Sequence, residues 1–162
     1  MAQRESGVRS RILDMLRAPG ARRSFAVAVE NGAYPGTPDV YYQLHECGLD
    51  LAGWIELKQV DNWPRYSQTV IRVPHFTPQQ RIWLRQHADA GGRSHVVVRV
   101  GRGPSYDWIV LHGSYAAAHL GKTLNRLRLQ HLDEPSYTFG GAVEIPDRLF
   151  TPNVLMRVLA EG

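Results

Sequence analysis

Ser94 to Val100, with Val96, Val97 and Val98 at its centre, is an apolar run between two glycine breaks, Gly91-Gly92 and Gly101-Arg102-Gly103-Pro104. A strand that is apolar on both faces must be covered on both, which implies an α/β sheet flanked by helices. The neighbouring segments suit that demand. Val8 to Arg17 reads as a short basic amphipathic helix, with Ile12, Met15 and Leu16 on one side and Arg9, Arg11 and Arg17 more exposed; Pro19-Gly20 ends it. Phe25 to Val29, Val40 to Leu44 and Gly53 to Lys58 read as strands, rich in β-branched and aromatic residues. Asp61 to Tyr66 reads as a loop before a brief strand, Thr69 to Val73. Thr77-Pro78 opens a helix to Ala90, with Ile82, Trp83 and Gln86 inward and Arg81 and Arg85 outward. Tyr106 to Leu111 is a further strand. Ser114 to Leu120 and Lys122 to Leu132 read as helices, and Thr151-Pro152 opens a last one, Asn153 to Ala160. The expected fold is one α/β domain over residues 1–162. Its αβββαβ core, a mixed sheet flanked by helices, spans about 8–111, and a C-terminal helical extension spans about 113–162.

Two short patterns in this framework carry chemistry. Pro38-Asp39 follows the turn Pro35-Gly36-Thr37, and Glu56-Leu57-Lys58 begins seventeen residues past the aspartate. Alternation along the strand puts Trp54, Glu56 and Lys58 on one face and Ile55 and Leu57 on the other. Pairing of the two strands as a hairpin or meander would bring Asp39 to Glu56. Two neighbouring carboxylates repel unless a cation sits between them, and hard oxygen donors with several waters suit Mg²⁺ or Mn²⁺. Such an ion makes its water acidic and neutralises charge on a scissile phosphate, while Lys58 would act as a fixed donor to that charge. Taken alone, Pro-Asp is also a common turn element, and Glu-x-Lys a surface pair worth about 0–1 kcal/mol. Lys58 stands out because the chain has one other lysine, Lys122.

Over a longer stretch the patterns combine in order: Glu30-Asn31-Gly32, Gly36-Thr37-Pro38-Asp39-Val40, Gly53-Trp54-Ile55-Glu56-Leu57-Lys58, and Phe76-Thr77-Pro78-Gln79-Gln80-Arg81-Ile82-Trp83-Leu84. This combination, over roughly residues 24 to 101, resembles the PD-(D/E)xK nuclease superfamily, whose fold is restriction-endonuclease-like. Within it the likeness is to phage-type and VRR-NUC-like endonucleases and their Holliday-junction-resolvase relatives. The resemblance implies that Asp39 and Glu56 bind the metal, with the backbone carbonyl of Leu57 as a further ligand, and that Lys58 is the catalytic lysine. It also implies that Gln80, rather than its neighbour Gln79, faces the active site. The alternative for that segment is a capped helix start with both glutamines solvated. Many relatives carry a further glutamate on the first helix. Here the candidates are Glu30, preferred for its nearness to the Asp39 turn, Asp14 within the helix, and Glu5 before it.

Charge and composition are compatible with this expectation. Nineteen Lys plus Arg against fifteen Asp plus Glu give a formal net charge of +4, which favours a polyanionic partner. The bases are almost all arginine, which binds phosphate bidentately and suits DNA backbone contacts, although a GC-rich genome yields the same bias. One cysteine, Cys47, excludes an intramolecular disulfide and reads as a loop thiol, in keeping with a reducing cytoplasm. The seven histidines do not form a zinc pattern, and Gly101-x-Gly103 lacks the third glycine of a dinucleotide fingerprint. No run of eighteen apolar residues or apolar signal core is present. Trp63 and Tyr66, beside Arg65, are candidates to stack on unpaired bases. The expectation is a cytoplasmic, Mg²⁺- or Mn²⁺-dependent endonuclease acting on duplex or branched DNA, with a homodimer suited to cutting two strands. The alternative is a non-catalytic nucleic-acid- or protein-binding module of the same fold.

Overall fold

The apolar run at residues 94–100 lies at the centre of a six-stranded mixed sheet in a computed structural model, which describes residues 2–18, 23–46, 49–103, 106–132 and 141–161. In chain order the elements are α1 (Ala2–Leu16), β1 (Arg23–Ala28), β2 (Val40–Glu46), β3 (Leu49–Val60), α2 (Pro78–Asp89), β4 (Ser94–Val100), β5 (Asp107–His112), α3 (Gly113–His119), α4 (Arg126–Leu132), β6 (Ala142–Pro146), a 3-10 turn (Asp147–Leu149) and α5 (Pro152–Glu161). The strands lie side by side in sequence order. Only β3 and β4 run parallel, because α2 separates them; the short connections elsewhere produce antiparallel neighbours.

Two cores form, one on each side of the sheet. Ile12, Met15 and Leu16 of α1 and Leu155, Met156 and Leu159 of α5 pack with Tyr42, Ile55, Val97 and Trp108 on one side. Leu84 of α2, Ala116 and Ala117 of α3 and Leu129 of α4 pack with Val96, Val98, Ile109 and Leu111 on the other. The alternation along β4 thus feeds both cores, as a doubly covered strand requires. Among the described residues no helix is long and apolar enough to cross a membrane.

Several local readings change. Thr69 to Val73 is not a strand: Val70 makes one isolated bridge to Asn125, and the buried Ile71 donates its N–H to Leu124 at 2.9 Å. Its partner there is a turn, which cannot extend into a ladder. The C-terminal extension is not all helical, since Ala142–Pro146 pairs with β5 and covers what would otherwise be an open edge of the sheet. The helix expected from Lys122 begins at Arg126, after a turn in which Gly121 takes φ +75°. On α2, Ile82 is 52% exposed and Gln86 is exposed, while Leu84 is buried. The helix is rotated because Arg81 turns inward, donating to the carbonyls of Ala116, Ala117 and Leu120 at the end of α3. Arg11 is likewise half-buried, donating to Asp147 at 2.7 Å and to the Tyr106 hydroxyl. Cys47, Pro19-Gly20 and Pro104 lie outside the described residues, as does the side chain of Glu5.

His95 gives the fold a defined acid sensitivity. It is fully buried opposite His112, and burial first, then His112 and Arg93, lower its pKa from 6.5 to about 3. The unfolded chain therefore binds a proton that the folded chain refuses. The corresponding stability is present above about pH 6.5 and is lost, at about 1.4 kcal/mol per pH unit, as pH falls towards 3. Denaturant titrations at pH 7 and pH 4 should show a smaller fall in stability for His95→Gln than for the wild type, and equal falls would contradict this origin.

Candidate active site

The site begins where β2 stops. The last rung between β2 and β3 pairs Val40 with Ile55, so β3 runs on through Glu56, Leu57 and Lys58 with no β2 residue opposite. Asp39 occupies that end. Its carbonyl accepts from Val29 N–H at 2.8 Å, and its side-chain Oδ2 accepts from Leu57 N–H at 2.7 Å. A strand residue directs its N–H and C=O to the same side, so the Leu57 carbonyl also leaves β3 on the Asp39 side.

On the α2 face of β3, Glu56 is 1% and Lys58 5% exposed, and Lys58 Nζ lies 2.6 Å from Glu56 Oε1. A carboxylate withdrawn this far from water is costly without a countercharge and hydrogen bonds. Lys58 supplies the charge, and Gln80 Nε2 donates to the same Oε1 at 2.5 Å. The start of α2 dictates the orientation of that amide. Thr77 is the N-cap, with Pro78 at the first helical position. Thr77 Oγ1 accepts from Gln80 N–H at 3.2 Å, and Gln80 Oε1 accepts from Thr77 N–H at 2.9 Å. With its oxygen used by this capping box, Gln80 can only turn its NH₂ to Glu56. The capped helix start and the glutamine in the site are thus one arrangement, and Gln79 is exposed.

A turn holds Asp39 against α2. Asn31 Oδ1 accepts from the N–H groups of Ala33 and Tyr34, both at 3.1 Å, and Thr37 Oγ1 donates to Tyr34 O at 2.8 Å. Gly36 follows with φ +91°, so close to α2 that an added Cβ would lie 2.6 Å from Gln79 O. Gly36→Ala should therefore lose about 1–3 kcal/mol through strain and clash together. Chemical denaturation measures this, and an unchanged midpoint would mean that the turn moves freely off the helix.

Asp39, Glu56, Leu57, Lys58 and Gln80 line one cavity of about 580 Å³, and Arg9 and His75 complete its wall. His75 takes φ +59°, an uncommon backbone state for a residue with a side chain. Arg9 reaches the cavity from α1, on the opposite face of the sheet, and its guanidinium is 3.1 Å from Glu30 Oε1. Glu30 itself is 84% exposed and does not line the cavity; neither does Asp14, which is exposed on α1. Residue order suggested the Asp39 turn, the Glu56–Lys58 strand and Gln80. Arg9 had no local signal beyond its place on a basic helix, and His75 only its position ahead of Thr77.

Two carboxylates line the cavity, and the Leu57 carbonyl leaves β3 on the Asp39 side; all three are hard oxygen ligands. They fit Mg²⁺ or Mn²⁺ better than a soft metal. Among the described residues no group of three or more His, Cys, Asp or Glu side chains could hold a metal ion, so such an ion would take its remaining ligands from the Leu57 carbonyl, water and substrate. No family model, curated protein or solved structure matches the chain.

Proposed function

We propose that the protein is a metal-dependent DNA endonuclease with a PD-(D/E)xK-type site on a restriction-endonuclease-like core. The observation that carries this reading is the convergence of Asp39, Glu56, Lys58 and Gln80, from a turn, a strand and a helix, on one cavity. The order α1-β1-β2-β3-α2-β4, with β3 parallel to β4, supports the assignment of the core. A net charge of +4 carried almost entirely by arginine supports a polyanionic substrate.

In this reading Asp39 and Glu56 hold a divalent ion together with the Leu57 carbonyl. The ion supplies Lewis-acid stabilisation of the phosphate and a water acidic enough to attack near neutral pH. Lys58 donates a hydrogen bond to the attacking water or to the charge that builds on the phosphate oxygens. Gln80 holds Glu56 in a single orientation, so that Glu56 and Lys58 need not reorganise as that charge develops. Arg9 and His75 bind a phosphate oxygen of the substrate strand beside the reacting one. Arg9→Ala should accordingly raise KM about tenfold with a smaller change in kcat, read from initial rates of cleavage.

The reading is tested by incubating the protein with supercoiled plasmid, linear duplex, single strands and a four-way junction, with Mg²⁺, Mn²⁺ or EDTA. Cutting that requires the metal supports it. Absence of cutting on every substrate would overturn it in favour of a binding module of the same shape. The preferred substrate would also test the branched-DNA, resolvase-like subclass, and sedimentation of the intact protein would test the homodimer.

A further inference from the structure

Among the described residues, the helices leave part of the sheet uncovered. Over β1, β2 and the start of β3, the face that carries Glu56 and Lys58 is open. The strand registers set Val27 beside Tyr41 and Tyr41 beside Trp54 there, with Phe25 next along β1. Phe25 is 56% and Val27 37% exposed, although both are large apolar residues. From Phe25 the rings form a continuous row. Phe25 meets Tyr41 at 6.5 Å, Tyr41 meets Trp54 at 5.2 Å, Trp54 meets Trp83 of α2 at 5.7 Å, and Trp83 stacks on His87 at 4.6 Å. Trp54 is two residues before Glu56 on the same face, about 7 Å along the strand. At Trp54 the row therefore passes beside the candidate active site.

Two hollows flank the row. One, of about 520 Å³, is lined by Tyr41, Trp54, His87 and Arg93, whose guanidinium donates to the Leu159 and Ala160 carbonyls at the end of α5. The other, of about 220 Å³, is lined by Arg23, Phe25, Gln43 and His45. The second thus sets the exposed Arg23 beside the Phe25 ring. Asp50 borders both, and its carboxylate is 2.6 Å from His45 Nδ1. The combination matches a strand of unpaired nucleotides, whose flat bases stack on aromatic rings while their phosphates meet guanidinium groups. An intact duplex offers no such bases, because they are stacked on one another inside it. The loop aromatics expected to stack are less suited. Trp63 donates Nε1–H to Asp107 at 2.7 Å beneath the Arg126 guanidinium, and Tyr66 stands under Arg65.

We infer that the Phe25–Tyr41–Trp54 row is a stacking platform for an unpaired nucleic-acid strand leading into the active site, so that the substrate is single-stranded, flapped or branched rather than continuous duplex. The inference rests on the nuclease reading for its placement beside the scissile phosphate, and its test does not depend on cleavage. Anisotropy of a labelled oligothymidylate, an oligouridylate and a matched duplex would be measured with the whole protein in EDTA. The single strand should bind at least about tenfold tighter than the duplex, and Phe25→Ala and Tyr41→Ala should each weaken that binding about tenfold. The two single-stranded arms separate DNA from RNA as the source of the bases. Phe25 is exposed, so its replacement leaves the fold intact, and Leu149→Ala, at an exposed apolar site of the 3-10 turn, serves as the control that keeps its affinity. Equal binding of duplex and single strand, or unchanged affinity in Phe25→Ala, would overturn the inference. So would sedimentation showing that Phe25→Ala dissociates a dimer while oligonucleotide affinity persists, which would give this face to a second copy of the chain. A protein that prefers single strands in EDTA but cuts nothing with metal would refute the nuclease reading and keep the platform.

Discussion

Asp39→Asn should lower metal-dependent cleavage by at least about 10²–10³-fold while leaving the fold intact. The substitution changes charge and almost nothing else. The asparagine Oδ1 can still accept from Leu57 N–H, which is 2.7 Å from the native carboxylate, and the backbone bond from Val29 to the Asp39 carbonyl is unaffected. The turn that carries the residue therefore keeps its anchors. What is lost is one of the two negative charges that would hold a divalent ion, so the defect should ease partly at high Mn²⁺ concentration and not at high DNA concentration. Single-turnover cleavage across a metal titration, with a denaturation curve to verify folding, measures this. A variant that cuts at the wild-type rate with the wild-type metal dependence would remove Asp39 from the mechanism.

Lys58→Met should abolish cleavage and also destabilise the protein by about 3–5 kcal/mol at neutral pH, because it withdraws the countercharge of a buried carboxylate while keeping side-chain volume. Glu56 is 1% exposed, and the 2.6 Å contact with Lys58 supplies the charge that Gln80 cannot. Without the ammonium, burial disfavours the charged form of the Glu56 carboxyl. The folded variant then binds a proton more readily than the unfolded chain, so its defect is largest at pH 7 and shrinks as pH falls. The double variant Glu56→Gln/Lys58→Met, which removes both charges, should recover most of the stability and none of the activity. Urea titrations of the wild type, single and double variants at pH 7 and pH 5 separate these effects. Wild-type stability of Lys58→Met at pH 7 would mean that water reaches Glu56.

Much of the architecture was legible because it follows from period and punctuation. The valine run at 96–98 between glycine breaks located β4, and alternation through Trp54, Ile55, Glu56, Leu57 and Lys58 set the faces of β3. Thr77-Pro78 marked the start of α2 through a local hydrogen-bond requirement that tertiary context did not alter. Legibility failed where a segment's state depends on a distant partner. Ala142–Pro146 is a strand because β5 offers it an edge, and Thr69–Val73 is not one because it meets a turn. Arg81 points inward because the end of α3 presents three carbonyls to it, which no pattern within α2 encodes.

The candidate site divides in the same way. Glu56 and Lys58 share a face whatever surrounds β3, since the period of a strand is a property of the backbone. The sequence also supplies the cap chemistry that leaves Gln80 its amide NH₂. Packing across the sheet, by contrast, ends β2 one rung before Glu56 and so frees the Leu57 N–H for Asp39. The same packing brings Arg9 to the cavity from the other side of the sheet and turns Glu30 to Arg9 rather than to the cavity. Local pattern reports which way a side chain leaves its own element. Which residues meet depends on the packing of α1, α2 and the strand ends, and that is decided by burial summed over the whole chain.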